Sequence, residues 1–505
     1  MRLPLAVRSV RAGLPAADVV AVFSDGKTFP LPASLARVAR SHAERAGFKG
    51  EAAQTHDIPL PGRTARTLFA IGAGKALTLD TVRRGVAAAI QYAKAEGLRT
   101  VAIVAPAHLT THPSSLDLGR AFAEGALLAN YRFTTYTKES AAREKRLALQ
   151  RVELHVPSKD REHTNRGMVR GVIDAEATMR ARDLVNEPAS HLTPQSLVAE
   201  AQKIAKASRG TVTLTVWDRA ACEKRGMGAF LAVAKGSTAE PAFVHLVFAP
   251  TKQTRSVVRP RVVLVGKGIT FDAGGLSLKP SHSMETMKLD MAGAASVLGV
   301  FSALPRLRFP VEVHGIIAAC ENMPSGTAVK PGDIVRTVSG KTIEILDTDA
   351  EGRLTLADAL GIAAKLRPTA IIDLATLTGA CVVALGEEVT GFFSNNDVVA
   401  ERIRAAAERS GEPMWQLPLV RDYQSKIRGS IADLKNVEST RRAPGDAIFA
   451  ALFLKEFVGN TPWVHLDIAG PSYAERQTNP VNPVGGTGVG VRTILRYLED
   501  VGTRQ

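Results

Sequence analysis

The chain has 505 residues, more than one hydrophobic core usually serves, so two or three domains are expected. Its 45% hydrophobic and 22% charged residues exclude a disordered chain, and 5% aromatics argue against a base-stacking nucleic-acid surface. The net charge of +15 is spread among acids and alanines with no basic arm, and three widely spaced cysteines (Cys222, Cys320, Cys381) exclude a disulfide framework or a CxxC metal site and fit a reducing compartment.

Arg8 and Arg11 interrupt the start of the chain where a secretory signal needs an unbroken apolar run, so no signal peptide is expected. Val19–Phe23 and Thr67–Ile71 read as strands, Thr81–Ala95 as a helix, Thr100–Ala105 as a short buried strand and Leu116–Tyr131 as a helix. Strands alternating with helices predict α/β architecture with parallel pairing. Between Thr137 and Arg166 the composition turns polar, which predicts an interdomain segment. A long helix over Met168–Val185 is expected to end near Asn186-Glu-Pro188, since proline disfavours helix in the residue before it. The α/β pattern then resumes. Val262–Val265, Val311–Ile317, Ala370–Leu374 and Trp463–Leu466 read as strands; Met284–Ser302, Leu354–Lys365, Asp446–Phe457 and Val489–Leu498 read as helices. The richest apolar stretch, Ala370–Leu385, carries Asp373 and is short for a membrane span of about 20 residues; it reads as a buried strand and a following helix.

Two lysine-glycine fragments, Gly72-Ala-Gly-Lys75 and Gly266-Lys-Gly268, lack the Ser/Thr that a phosphate-binding loop places after its lysine. HExxH and GxSxG are absent, and the eleven histidines are scattered. The chemistry concentrates instead in three acid–lysine segments. In Val265-Gly-Lys267-Gly-Ile-Thr-Phe-Asp272-Ala-Gly-Gly-Leu-Ser-Leu-Lys279, a strand delivers Lys267, and glycines then permit a turn that presents Asp272 and Lys279. In Met284–Ala295, Asp290 stands on a small-residue apolar helix, where a carboxylate needs a cation or a metal; pairing with Lys288 is the alternative. In Asp347-Thr-Asp349-Ala-Glu351-Gly-Arg353-Leu354, three acids spaced by two share one side of an extended segment and repel unless neutralised. An acidic turn capping the next helix is the alternative. Such oxygen-rich groups suit Mn²⁺, Mg²⁺ or Zn²⁺.

These segments resemble the signature blocks of the leucyl aminopeptidase family, whose best-known block is Asn-Thr-Asp-Ala-Glu-Gly-Arg-Leu. The likeness extends through Gly226–Gly236, Ala375–Gly379, His465–Gly470 and Gly486–Arg492, and covers most of the chain from about Asp183. The alternation and the resemblance together predict two domains: a smaller N-terminal α/β domain over 1–165, serving assembly or regulation, and a larger catalytic α/β/α domain over 166–505 with a mixed central sheet.

The resemblance implies a metal-dependent exopeptidase that removes Leu and other N-terminal residues from peptides. It implies two divalent ions per subunit, Mn²⁺ or Zn²⁺. One is held by Lys267, Asp272, Asp290 and Glu351, the other by Asp272, Asp349 and Glu351. Lys267 must then lose its proton; an ion pair with the acids is its alternative. Lys279 and Arg353 are implied as catalytic, Lys279 at the oxyanion and Arg353 holding bicarbonate as general base; a salt bridge to a loop acid is the alternative for Arg353. Thr376 and Leu377 are implied to line the substrate site, and Met287 an apolar pocket, unless Met287 simply packs in the core. A cytoplasmic homohexamer acting on short peptides, with no membrane association, is also implied. Because some family members bind DNA, and because of the +15 charge, a DNA-binding regulator on the same fold is the second reading.

Two departures stand out. The stretch Glu438-Ser-Thr-Arg-Arg-Ala-Pro-Gly-Asp446 replaces a glycine-rich one and is expected to alter the substrate cleft. Asp347 stands where the family usually has Asn. Its extra negative charge is expected to change metal preference or to shift the pH optimum upward. A metal titration and a pH–rate profile of Asp347→Asn check this, and an unchanged preference and profile would sink it.

Overall fold

A computed structural model describes residues 3–10, 13–60, 65–105, 114–250, 259–438 and 444–503. They form two compact units: Met1–Glu176 with Arg476–Val484, and Ala177–Glu475 with Gly485–Gln505. The division falls inside one long helix, Arg161–Asn186, which starts earlier than its apolar pattern suggests.

The first unit is built on β1 (Leu5–Ser9), β2 (Val19–Ser24), β3 (Thr55–Pro59), β4 (Thr67–Gly72), β5 (Thr100–Val104) and β6 (Arg151–Val156). Their order in the sheet is β1-β6-β5-β2-β4-β3, parallel except for β3. β2 and β4 are buried along their whole length, which is why their sequences read as unbroken apolar runs. The polar segment 137–166 is not a linker. It holds the helix Lys138–Arg146 and β6, which pairs between β1 and β5. β6 escaped notice because Arg151, Glu153 and His155 alternate with its apolar residues, as on a sheet with one polar face.

The second unit carries β7 (Val212–Trp217), β8 (Ala242–Phe248), β9 (Arg261–Asp272), β10 (Glu312–Asn322), β11 (Ile334–Arg336), β12 (Thr342–Glu344), β13 (Ala370–Ala375), β14 (Thr390–Ser394), β15 (Met414–Gln416), β16 (Leu434–Lys435) and β17 (Trp463–Asp467). Eight of these form a mixed sheet in the order β15-β14-β17-β13-β9-β10-β8-β7. The central four, β17, β13, β9 and β10, are parallel; β14 and β8 join them antiparallel. β11, β12 and β16 form a separate small sheet. The two-unit α/β architecture with a mixed central sheet is thus as expected.

On one face of the sheet, Val263, Val265 and Ile269 of β9 join a core with Leu354, Ala357 and Leu360 of the helix Gly352–Lys365 and with Phe449 and Phe453 of the helix Asp446–Lys455. The helix Ala292–Leu307 packs against β9 and β13, and its start approaches them closely through two glycines. A Cβ on Gly293 would stand 2.0 Å from the Leu374 carbonyl oxygen, and one on Gly266 would stand 2.6 Å from that of Gly293. The single helix expected over Met284–Ser302 is in fact a short turn, Ser281–Met284, a 3₁₀ turn, Met287–Met291, and then the helix. Asp290 therefore sits on the tight turn ahead of the helix. Among the central strands, β9 must carry Lys267 and Asp272 in an otherwise buried apolar run, so the sheet centre is also where charge is placed.

A polar chain crosses β8, β10 and β9. His245 Nε2 lies 2.9 Å from His314 Nδ1, His314 Nε2 lies 2.7 Å from Glu312 Oε1, and Arg261 Nε donates to the same oxygen at 2.6 Å. Burial, aided by His314, pushes the pKa of His245 down to about 4. The unfolded chain then binds a proton near pH 6.5 that the folded chain refuses until about pH 4, so stability falls as pH drops through that window. We expect the thermal midpoint of His245→Gln to depend less steeply on pH between 6.5 and 4 than that of the parent protein, as followed by differential scanning fluorimetry. Parallel slopes would contradict this.

Candidate metal centre and active site

The acid–lysine residues meet at the carboxyl ends of the central strands, where open α/β sheets place their sites. Lys267 leaves β9 with its ammonium 2.8 Å from Asp290 Oδ1 and 2.8 Å from Glu351 Oε1, and it donates to the Thr376 carbonyl at 2.9 Å. The room for it comes from Gly352, the first residue of its helix. A Cβ there would stand 2.6 Å from Lys267 Nζ. Asp272 ends β9. Its Oδ1 accepts from the Gly274 amide and from Asn322 Nδ2, both at 2.8 Å, and its Oδ2 lies 2.9 Å from Lys279 Nζ. Lys279 also reaches Asp349 Oδ1 at 2.5 Å. Gly274 and Gly275 make the turn that returns Lys279 to the site, with φ of 88° and 66°.

Asp290 accepts from Thr376 Oγ1 at 2.7 Å. Lys288 is no partner for it, since its ammonium donates to the Asn186 carbonyl at 2.7 Å. Asp347, Asp349 and Glu351 do not share one extended face. Asp347 closes a turn by accepting the Asp349 amide at 2.9 Å, because a short acidic side chain competes readily for nearby backbone donors. Nor does Glu351 act as a side-chain cap for the helix that follows it.

The electrostatics are those of crowded, desolvated acids. Burial is the largest influence on Asp290 and holds its carboxyl well above the usual range; Glu351 and Asp272 push the same way, against Lys267. Burial and Asp272 raise Glu351 in the same manner. Asp349 is pushed up to about 7, by burial first and then by Asp272. For the lysines, burial opposes the charged form, but the surrounding carboxylates outweigh it and hold both ammonium groups above the usual lysine range.

Four carboxylates here face two ammonium groups. Ligand oxygens of Asp272, Asp290 and Glu351 lie within 4.8 Å of one another, and all three residues are buried. Asp290 Oδ2 and Glu351 Oε2 are buried with no hydrogen-bond partner among the described residues. Orphaned, acid-rich oxygens of this kind fit hard or borderline divalent cations.

These residues line a cavity of about 480 Å³, together with Met287, Thr376 and Leu377. Arg353 is not among its lining residues. Its Nη1 donates to the Asn436 carbonyl at 2.6 Å and its Nη2 lies 3.3 Å from Asp446 Oδ1, while Nε is buried with no partner among the described residues. Arg353 thus makes a salt bridge, to an acid that opens the helix Asp446–Lys455 and not to a loop acid. Residues 439–443 of the divergent stretch, including Arg441 and Arg442, lie outside the described residues, whereas Pro444 is described and exposed.

Sequence reasoning missed the residues that hold this site in place. Asn322 bonds both Asp272 and the Thr348 carbonyl, and Asn436 binds the backbone at Leu346 and Asp347. Asn322 could have been noticed as a polar residue ending an apolar strand, in register with Asp272. Asn436 gave no such signal.

The chain matches the catalytic domain of the cytosol aminopeptidase family over residues 179–495 and the family's N-terminal domain over residues 19–140. It is 43% identical over 460 residues to a protein named "Probable cytosol aminopeptidase" in Roseiflexus castenholzii, covering 90% of this chain and 92% of that one. Its identity to the protein of the same name in Aquifex aeolicus is 40%, covering 92% and 90%. Among solved structures it resembles the bottromycin maturation enzyme BotP in complex with Mn (36% identity, TM-score 0.83, covering 96% of this chain and 100% of that one). It also resembles a mutant of tomato leucine aminopeptidase (33% identity, TM-score 0.86, covering 99% and 97%). These likenesses give the DNA-binding reading no support. The chain belongs to the cytosol aminopeptidase family and is a metal-dependent peptidase that removes N-terminal residues from peptides.

Proposed function

We propose that Lys267, Asp272, Asp290, Asp349 and Glu351 hold two divalent metal ions, Mn²⁺ or Zn²⁺, at the floor of the cavity. The observation that carries this reading is the surplus of buried carboxylate over ammonium, with Asp290 Oδ2 and Glu351 Oε2 unpartnered. A pair of divalent ions supplies Lewis acidity and a water of lowered pKa. Lys267 would serve as a neutral amine, and Asp272 and Glu351 would contribute to holding both ions. Lys279 keeps its charge and stabilises the oxyanion that develops on the scissile carbonyl.

Thr376 and Leu377 line the path of the peptide, and Met287 lines the space for its N-terminal side chain. Bicarbonate beside Arg353 is part of the proposal. Its support is the buried Nε, which has no partner among the described residues. Short peptides as substrates, assembly as a homohexamer and a cytoplasmic location complete the reading, on the family resemblance.

Hydrolysis of leucine-p-nitroanilide by metal-stripped protein tests it, with Mn²⁺, Zn²⁺, Co²⁺ or Mg²⁺ added back. Activity is expected to return in the parent protein and not in Glu351→Ala. Lys279→Ala is expected to bind metal but to lose about 10²–10³-fold in kcat. Failure of every metal to restore activity would overturn the reading. A further outcome tests the packing beneath the site. Gly352→Ala places a methyl 2.6 Å from Lys267 Nζ and is expected to push that amine away from Asp290, Glu351 and Thr376. Its metal affinity, measured by chelator competition, is expected to fall about 10–100-fold. Parental affinity would show that Lys267 is not held there.

A further inference from the structure

The strands β13 and β17 run parallel and end side by side, with Ala375 in register with Asp467. The chain leaving β13 forms Thr376–Gly379, and the chain leaving β17 forms Ala469–Gly470. Leu377, Thr378, Ala469 and Gly470 all line the cavity that holds the acid–lysine cluster. Asp467 is not in that lining and is buried, with 1% of its surface exposed.

Its carboxylate nevertheless serves both walls. Oδ1 accepts from the Leu377 amide at 3.3 Å, from the Thr378 amide at 3.5 Å and from the Ala469 amide at 3.2 Å. Oδ2 accepts from Thr378 Oγ1 at 2.7 Å. Thr378 Oγ1 in turn accepts from the Cys381 amide at 3.2 Å and caps the helix Gly379–Leu385. The other end of the same loop is fixed to the cluster, through Thr376 Oγ1 to Asp290 Oδ1 and Lys267 Nζ to the Thr376 carbonyl. Leu377 and Thr378 therefore span between the proposed metal ligands and Asp467. The backbone a peptide would lie against is tied at both ends.

We propose that Asp467 is a positioning residue for the aminopeptidase reaction, clamping the loops after β13 and β17 into the two facing walls of the substrate cavity. The inference rests on the reading of that cavity as the active site. Asp467 touches neither substrate nor metal. It acts through Leu377, Thr378 and Ala469, whose placement decides how the scissile bond meets the reacting groups. A small displacement of such a wall costs rate far more than it costs binding of the metals.

The experiment compares Asp467→Ala, Asp467→Asn and Thr378→Val with the parent protein, each loaded with Mn²⁺, on leucine-p-nitroanilide. Metal content and amide hydrogen exchange are measured on the same samples. Asp467→Ala is expected to lose about 10–100-fold, mainly in kcat, at unchanged metal content, with faster exchange at Leu377, Thr378 and Ala469. Asp467→Asn keeps an acceptor for the amides and is expected to recover most of the rate and the protection. Thr378→Val, which removes the hydroxyl's bond to Asp467 together with its cap on the Cys381 amide, is expected to lose less than Asp467→Ala, again in kcat, and it carries the test if Asp467→Ala does not fold. Parental kcat in a folded Asp467→Ala or in Thr378→Val would overturn the clamp while leaving the active-site reading intact. So would a loss that follows metal content. A parent protein that stays inactive with Mn²⁺, Zn²⁺, Co²⁺ and Mg²⁺ alike would overturn both.

Discussion

The catalytic unit answers to one constraint, the crowding of four carboxylates, three of them buried, against two ammonium groups at the ends of the central strands. An isolated buried carboxylate is expensive, and proteins tolerate it only when a cation and hydrogen bonds compensate. Here the cost is visible in the raised carboxyls of Asp290, Asp349 and Glu351. The surrounding structure exists to hold these groups together in spite of it. Asn322 and the Gly274 amide fix Asp272, Thr376 fixes Asp290, and Gly352 leaves the space through which Lys267 reaches Glu351. Neutralising such a site with divalent cations removes the repulsion that the fold opposes, which is why the same arrangement that weakens the bare protein favours metal.

The central sheet supplies the rigidity. β9 pairs with β10 from Arg261 to Asp272 and with β13 from Val262 to Gly266, so neither Lys267 nor Asp272 can drift without breaking the β10 ladder. Gly266 and Gly293 bring the helix Ala292–Leu307 hard against that strand, and the 3₁₀ turn ahead of the helix then places Asp290 beside Lys267. A regular helix through Asp290, the arrangement its sequence suggests, would carry that carboxylate around with the helical repeat. The tight turn instead lets the chain enter the helix close to the sheet while keeping the acid at the site.

Much of this was legible in the sequence because buried parallel strands announce themselves as apolar runs, and because charged residues inside those runs are conspicuous. Lys267 and Asp272 were visible for that reason, Asp290 as an acid among small apolar residues, and Glu351 through the spacing of its acids and the family resemblance. What was not legible depends on contacts between distant segments. Asn436 lies 89 residues from the Asp347 carbonyl it binds, and the role of Gly352 is defined by a lysine on another strand. β6 was hidden in a polar segment because one face of its sheet carries charge, and the break before Ala292 was hidden because the residues on both sides of it favour helix. The reading of Asp347 as one of three aligned acids failed for a local reason: its side chain found the Asp349 amide before it could face the cluster.

The two lysines divide the four acids between them, and the division bears on their roles. Lys267 pairs with Asp290 and Glu351, while Lys279 pairs with Asp272 and Asp349. Lys267 is 4% exposed at the side chain, is fixed by a third bond to the Thr376 carbonyl and stands on a central strand. Were cations to take over its carboxylates, loss of its proton would relieve the repulsion. Lys279 is 14% exposed, and it stands on a loop beyond a glycine turn. As a charged group lining the cavity it would suit a developing oxyanion. The same residue type, at two depths of burial, is thus suited in one place to become a neutral amine and in the other to stay charged.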